Sequence, residues 1–361
     1  MNDTDILIIG AGIAGASLAA EVAPHARVVL LEAEAVAGYH STGRSAAFWS
    51  ETYGGPDIQP LTTASGDALR DGGFLEPLGA IQIGRAEDQP LLDAFLAKFA
   101  GSGIDLTVVN PADFIPGLRP DWVLGVREPT CAYIDVAGLH QQYLTVAKRA
   151  GAQLHVRAGA QAMSRDGAGW VVETPQGRFR APIIVNAAGG WADAVALMAG
   201  VRALGITPYR RTLVQLRTDP PVPDDLPHVA SLGSDFYFKP EAGGRLWLSP
   251  HDETEVEPGD VQPEELDVAI AIDRFEHVVD WRVTALERKW AGLRSFAPDR
   301  RPVYGFASDA PGFFWCAGQG GFGIQTAPAA ARLAAAVLLG HAPHASVAGI
   351  DPARYAPQRF D

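Results

Sequence analysis

Cysteine, lysine and positive charge are all scarce in this chain of 361 residues. Its two cysteines, Cys131 and Cys316, cannot build a disulfide framework or a cysteine-rich zinc site. Each sits in an apolar or turn-like context that suits a buried free thiol. Against 42 Asp and Glu there are 29 Lys and Arg, a net charge of −13, which argues against a nucleic-acid partner because phosphate binding needs a basic face. Only Lys98, Lys148, Lys239 and Lys289 are lysines, a bias that tracks genome composition more than function. None of the nine histidines has a metal-ligand or triad partner in the sequence, so no metal is expected. Long apolar runs are missing too. The most apolar late stretch, Ala327 to Gly340, is broken by Arg332 and short for a membrane span, so no integral membrane segment is expected. The N-terminal Asn2-Asp3-Thr4-Asp5 lacks the positive charge of a secretory signal. A cytoplasmic protein is expected, with peripheral membrane association left open for a dehydrogenase. The remainder, 47% hydrophobic and 20% charged with 39 Gly and 27 Pro, suits a globular chain with many turns around short strands. Its length calls for one large or two interleaved domains.

Ile6-Leu7-Ile8-Ile9 reads as a strand buried on both faces. It feeds Gly10-Ala11-Gly12-Ile13-Ala14-Gly15 and a helix-prone run that Pro24 should stop, and then a second strand, Val28 to Leu31, ends on Glu32. Gly38 to Ser50 is a small-residue loop expected to enter a helix. Strands are expected at Ala80 to Ile83, Leu106 to Val109, 153–156, 170–174 and 182–186, with a helix over Leu139 to Arg149. Residues 210–250 alternate as strands, and the acidic stretch Asp252 to Glu265 is a loop leading to a helix. Phe313 to Cys316, a Gly-rich turn at 318–323 and an Ala-rich helix over 326–339 close the chain.

Gly10, Gly12 and Gly15 have mechanical reasons: a tight turn, close approach of backbone to a pyrophosphate, and close helix–strand packing. The helix N-terminus meets the phosphate charge, and Glu32, 22 residues after Gly10, can accept from ribose hydroxyls. This unit points to an adenine dinucleotide without separating NAD from FAD. Three later features favour FAD over three merely structural turns. Ser41-Thr42-Gly43-Arg44-Ser45-Ala46-Ala47 is a small-residue loop that can lie against a flat ring system. Asn186-Ala187-Ala188-Gly189-Gly190-Trp191 ends a strand in small residues. Gly318 to Thr326 opens a helix whose N-terminus can face a flavin edge that gains negative charge on reduction.

With Gly10 to Glu32, Gly38 to Ala47, Asn186 to Gly189, Trp290-Ala291-Gly292-Leu293-Arg294-Ser295 and Gln319 to Thr326, the chain resembles the D-amino acid oxidase superfamily of flavoproteins, most of all its D-arginine dehydrogenases. The likeness spans nearly the whole chain, and the 38–47 and 290–295 motifs are its specific parts. It implies an α/β fold: a Rossmann-like FAD-binding domain with a mixed sheet (1–77, 137–204 and 300–361), and a substrate domain with an antiparallel sheet (78–136 and 205–299). It implies noncovalent FAD, held by Gly10, Gly12, Ile13, Ala14, Gly15, Glu32, Ala33, Ser41, Thr42, Arg44, Ser45, Ala46, Ala47 and Ala160. To these it adds Ala188, Gly189, Trp191, Gly320, Gly321, Phe322, Gly323, Ile324 and Gln325. Cys316 precedes the last loop but carries no motif for covalent attachment. The implied reaction passes hydride from Cα of a D-amino acid to flavin N5, and the imino acid then hydrolyses to a 2-oxo acid. Electrons would leave to oxygen or to a quinone or other carrier.

Carried over residue by residue, Arg294 pairs with the substrate carboxylate, since a guanidinium can bind it bidentately. Arg211 lies nearby, and Arg210, next to it, could be confused with it. On a strand one of the two arginines would face inward and the other outward. Tyr237 and Tyr53 supply hydroxyls, while Phe48, Gly321 and Gln325 lie beside substrate and flavin. Each has a structural alternative: an ion pair for Arg294, a core or lid role for Tyr237, plain packing for Tyr53. His40 reads as structural or solvated. Two departures bear on the substrate. The resembling enzymes have a His after the Ala-Ala pair, where this chain has Phe48, and a side-chain-selecting carboxylate in the strand that here reads Leu78-Gly79-Ala80-Ile81-Gln82-Ile83. A buried guanidinium without a carboxylate is disfavoured, so the preference is expected to shift from basic toward neutral or apolar side chains. Rival readings are oxidation of a secondary amine of the sarcosine or proline type, oxidation of a 2-hydroxy acid, and a noncatalytic flavin-binding protein.

Overall fold

The computed structural model describes residues 2–361 except residue 168. The apolar runs at the start of the chain form the centre of a six-stranded sheet, in the order Gln153–His155, Val28–Leu31, Ile6–Ile9, Ile183–Asn186, Phe313–Ala317, Val303–Phe306. The first five are parallel and the last pairs antiparallel. Strands of continuous Ile, Val and Leu are needed here because both faces are covered. Ile6, Ile8, Val28 and Leu30 pack with the helices Ile13–Val22 and Ala327–Leu339. Leu7, Ile9, Val29 and Leu31 meet Trp170, Val172 and Phe179 of a four-stranded sheet on the other side.

A larger, mostly antiparallel sheet runs through Gln319–Gly320, Arg282–Phe296, Thr207–Asp219, Arg245–Ser249, Tyr237–Glu241, His228–Ser231, Ala80–Arg85, Trp122–Glu128 and Thr107–Val108. Its one parallel pair joins His228–Ser231 to Ala80–Arg85. One face is apolar: Ile81, Val214, Val229, Phe238 and Leu248 pack against Val268, Ala271 and Phe275 of the helix Glu265–Glu276. Strand alternation therefore sends Arg211, Leu213, His228, Tyr237 and Lys239 to the opposite face. The expected α/β class, with a mixed sheet and a largely antiparallel one, is what forms.

The loop at 38–50 departs from expectation. It does not enter a helix directly, but passes into a short strand, Phe48–Trp49, and the next helix is Gln59–Asp71. Gly54 and Gly55 (φ +98° and +77°), followed by Pro56, turn the chain between them. Among the described residues, no helix is long and apolar enough to cross a membrane.

Candidate active site

Where the Ile6–Ile9 strand ends, Gly10 adopts φ +100° and its N–H donates to Leu31 O at 2.8 Å. A side chain on Gly10 would collide with the Ala187 carbonyl, and one on Gly15 with the carbonyl of Gly10 itself. Both clashes are with backbone, so the turn and helix can pack this closely only with glycine. Glu32 is buried at the end of the neighbouring strand. Its carboxylate accepts from the N–H groups of Ala11 (3.1 Å) and Glu34 (2.9 Å), which fixes it at the rim of the turn. Thr42 Oγ1 accepts from Ile13 N at 3.0 Å, tying the 38–47 loop to the helix N-terminus. Behind the turn, the buried His140 lies with Nε2 2.8 Å from Ala11 O, a support with no local signal in the sequence.

These elements surround a cavity of about 380 Å³. Of the expected cofactor residues, Gly10, Gly12, Ile13, Ala14, Glu32 and Ala33 line it from the nucleotide unit, and Ser41, Thr42 and Ser45 from the small-residue loop. Ala160, Ala188, Gly189 and Trp191 close another wall, and Gly320, Gly321, Gly323 and Ile324 a further one. The many Gly and Ala residues in this lining suit a dinucleotide with a flat ring system, because small residues let the backbone approach it closely.

Six expected cofactor residues are placed elsewhere. Gly15 is packed behind the turn. Arg44 turns away to Asp260 (2.5 Å) and the Val261 and Ala291 carbonyls, pinning its loop to the substrate-side sheet. Ala46 packs with Leu213 and Tyr237, and Ala47 packs beside Trp49 and Leu139. Phe322 packs on Tyr53 and Phe296, 5.0 and 5.9 Å between ring centres. The Gln325 amide is used at both ends: its oxygen accepts from Ser50 N, and its nitrogen donates to Tyr53 O and Thr62 Oγ1. Gln325 thus holds the segment carrying Tyr53 rather than facing the cavity.

On the substrate side, Arg294 lines the cavity and is only 7% exposed. Its one protein hydrogen bond runs to the Leu293 carbonyl (3.1 Å), and among the described residues no carboxylate lies within ion-pair distance. Burial lowers its hold on its proton, partly offset by Tyr237 and Tyr53. Tyr53 OH sits against Gly321, where any side chain would strike it, and the Arg294 Cδ is close to the same point. Arg211 is engaged, Nε to Asp252 O and a terminal nitrogen to Glu253, both at 2.9 Å. Its neighbour Arg210 takes the other face, as strand alternation requires. It is not exposed there, because Glu264, Asp267 and Asp252 enclose it. Of the two, Arg211 is therefore the one that shares a face with Tyr237, whose hydroxyl it partly relieves of the upward push of burial. Phe48 packs 5.1 Å from Tyr53 and 6.2 Å from Tyr237. The fold thus gathers Arg294, Arg211, Tyr237, Tyr53, Phe48 and Gly321 from separate segments.

Four residues beside this group escaped the sequence reading. The segment 78–83 has no acid, yet Glu128, opposite Ala80 on the next strand, is buried there. Its carboxylate accepts from Ser50 Oγ (2.9 Å), Thr52 Oγ1 (2.6 Å) and Glu51 N (2.6 Å), so it is consumed in fixing the Tyr53 segment. Lys239 is buried between the Tyr133 and Trp247 rings, 4.5 and 4.3 Å away, with Glu241 at 3.5 Å. His228 is buried against Phe48, and burial with the nearby Lys239 charge pushes its pKa down to about 3. His251 is likewise pushed down to about 4, by burial and then by Arg211.

Those two imidazoles give a pH prediction. Both have folded values below the unfolded value, so their neutral forms support the fold fully above pH about 6.5, and that support is lost as pH falls toward 4 and then 3. Thermal unfolding should show stability falling between pH 6.5 and 4. His228→Leu should flatten the slope, whereas an identical slope in the variant would exclude His228 as a source.

A model of the family described as FAD dependent oxidoreductase (DAO) matches residues 5–337. The mitochondrial dimethylglycine dehydrogenase of Rattus norvegicus is 30% identical over 280 residues, covering 70% of this chain and 31% of that protein. This chain therefore spans about a third of the length of that relative. A glycine oxidase of Pseudomonas aeruginosa is 28% identical over 286 residues, covering 77% of this chain and 71% of that one. Among solved structures, the L-proline dehydrogenase from P. horikoshii superposes with a TM-score of 0.86 at 20% identity, covering 99% and 98% of the two chains. The glycine oxidase from Geobacillus kaustophilus gives 0.83 at 23% identity, covering 99% of each.

Proposed function

The chain belongs to the DAO family of FAD-dependent oxidoreductases, and from that premise we propose that it oxidises the Cα–N bond of a small amino acid, taking the D-enantiomer of primary amino acids and disfavouring basic side chains. The observation that carries this reading is Arg294, a buried guanidinium that faces the cavity with no carboxylate partner among the described residues. Such a group is costly to bury alone and gains most from a ligand carboxylate that it can grip with two parallel bonds.

FAD, when bound, supplies the two-electron acceptor. The residues that would hold it are those lining the cavity: the Gly10–Ala14 turn, Glu32, Thr42 and the Gly320–Ile324 loop. Arg294 orients the substrate by its carboxylate. Tyr53 and Tyr237 present hydroxyls beside it, and Arg211, fixed by Asp252 and Glu253, adds positive potential without needing the substrate as a partner. With the carboxylate anchored, the groups packed around Arg294, Gly321 and the Tyr53 hydroxyl decide which Cα substituent points where, and so which enantiomer presents its hydrogen. The substrate amine must be neutral when that hydrogen leaves with its electron pair. Positioning and electrostatics are the protein's contributions.

Anaerobic bleaching of the flavin band by matched D- and L-amino acids tests this. The expected result is bleaching by small D-amino acids and none by their L-forms. A second reading, oxidation of an N-methylated glycine, is favoured by the likeness to dimethylglycine dehydrogenase. Bleaching by sarcosine or N,N-dimethylglycine with none by D-alanine would replace the first reading with the second.

A further inference from the structure

The segment that carries Tyr53 is held on both sides. Upstream, Glu128 takes the Ser50, Glu51 and Thr52 donors, and Gln325 donates to the Tyr53 carbonyl. Directly downstream come Gly54 and Gly55, both with positive φ, where no side chain restrains the backbone. Beyond them, Asp57 is held by residues almost 300 positions later. Tyr355 donates its hydroxyl to the Asp57 carbonyl at 2.8 Å, and the Arg354 guanidinium meets the Asp57 carboxylate at 2.7 Å. Tyr355 is fully buried, its ring 6.1 Å from that of Tyr304 in the six-stranded sheet. The turns that carry it are bound to the same sheet. Pro357 lies against Gly305, where a side chain would collide with its ring, and Gln358 donates to Phe306 O at 2.8 Å. Arg359 pairs with Asp299 at 2.7 Å. Nothing in the reaction as described above uses Asp57, Arg354 or Tyr355.

Building on the function proposed above, we infer that Tyr355 is a positioning residue for the reaction: with Arg354 it fixes Asp57, and through Asp57 the turn that sets the Tyr53 hydroxyl against Gly321 and Arg294. The contacts run without a gap. Gly55 N donates to Thr52 O at 3.2 Å, and Gly55 O accepts from Ile58 N and Gln59 N, both at 3.0 Å. The turn bearing Tyr53 and the start of the helix Gln59–Asp71 are thereby joined, with Asp57 between them. Ile58 is 1% exposed, packs with Phe296 and Phe322, and fills the space beside Gly54. Tyr53 packs on Phe322, and its hydroxyl stands against Gly321 and near Arg294, both of which line the cavity. Releasing Asp57 loosens the two-glycine link, and the phenol attached to it shifts from the place where it meets a carboxylate held by Arg294. A misplacement of about 1 Å, even from a change far from the chemistry, is enough to slow a reaction heavily. Neither Tyr355 nor Arg354 lines the cavity, so their effect on the substrate passes through Tyr53.

A double-mutant cycle on the holoenzyme reads this, from the half-saturating substrate concentration and the limiting rate of anaerobic flavin reduction by D-alanine. Tyr355→Phe keeps the ring and loses one hydrogen bond. It should raise the half-saturating concentration about three- to tenfold, with flavin content and limiting rate near those of the wild type. Tyr53→Phe should weaken the substrate by itself. In that background Tyr355→Phe should add little, because two residues acting through one group are not additive. A merely structural Tyr355 would lower the melting temperature and either leave the half-saturating concentration alone or add its effect in full to Tyr53→Phe; either result overturns the inference. Arg354→Ala should show the same pattern at smaller size, since a partly exposed ion pair is weak, and it carries the test should Tyr355→Phe not fold. If Tyr53→Phe alone changes nothing, the placement of Tyr53 at the substrate fails, and this inference with it. If sarcosine bleaches the flavin and D-alanine does not, the D-amino acid reading fails, and the same cycle run with sarcosine still decides the role of Tyr355. If neither bleaches it, the proposed function falls, and this inference falls with it.

Discussion

Arg294→Ala should raise KM for a carboxylate substrate by about 100-fold to 1,000-fold, the size expected when one partner of a buried charge pair is left alone. Arg294→Lys should recover only part of the loss, because an ammonium offers a point charge in place of a planar fork. Stability should move the other way. In the absence of substrate, Arg294 is a buried cation bonded, among the described residues, only to the Leu293 carbonyl, so truncating it removes a burdened group and should leave the melting temperature unchanged or higher. Arg211→Ala makes the contrast, since its guanidinium is bonded to Asp252 O and Glu253, and its loss strands the part-buried Asp252 carbonyl and leaves Glu253 to the half-exposed Arg300. That variant should lower the melting temperature by several degrees. A carboxylate that is not turned over should stabilise the wild type and fail to stabilise Arg294→Ala. A KM unchanged in Arg294→Ala, with normal flavin content, would remove it from the carboxylate site.

This contrast shows what the sequence could and could not disclose. Gly10 to Glu32 was legible because strand, turn, helix and acid are contiguous and each residue type has one mechanical reason to be there. Arg294 was legible as a residue, but its want of a carboxylate partner was not, since that depends on which acids the register of three strands brings near. Glu128 shows the same limit. Reading Leu78 to Ile83 alone finds no acid, and the neighbouring strand places one opposite Ala80, already spent on the Tyr53 segment. Arg44 and Gln325 lie within cofactor-like loops, yet they brace those loops instead of lining the cavity. A polar residue in such a loop serves the ligand or the loop, and only the direction of its side chain decides. His228 had no local signal at all. Its burial comes from Phe48 and Tyr237, brought against it by tertiary packing.

Gly15→Ala should give protein without flavin. The added carbon would collide with the Gly10 carbonyl, and nothing in the vicinity can yield cheaply. Gly10 is itself pinned: its N–H is bonded to Leu31 O, its φ of +100° suits only glycine, and the space beside it is filled by the Ala187 carbonyl of the next strand. Relief must come from the helix Ile13–Val22 backing away from the sheet, which carries with it the N-terminal amides that would meet the pyrophosphate. It also opens the contact between that helix and Ile8. The expected loss is about 3 kcal/mol or more of stability, together with most of the affinity for FAD. Gly12→Ala is the internal comparison, because its nearest neighbour is the Thr42 hydroxyl at 3.2 Å, a side-chain atom that can give by a few tenths of an ångström. That variant should purify yellow with weakened binding. The ratio of flavin to protein absorbance, and thermal unfolding with and without added FAD, separate the two. A Gly15→Ala protein that retained full flavin content would mean the helix can shift without disturbing the phosphate site, and the close-packing account of the third glycine would be wrong here.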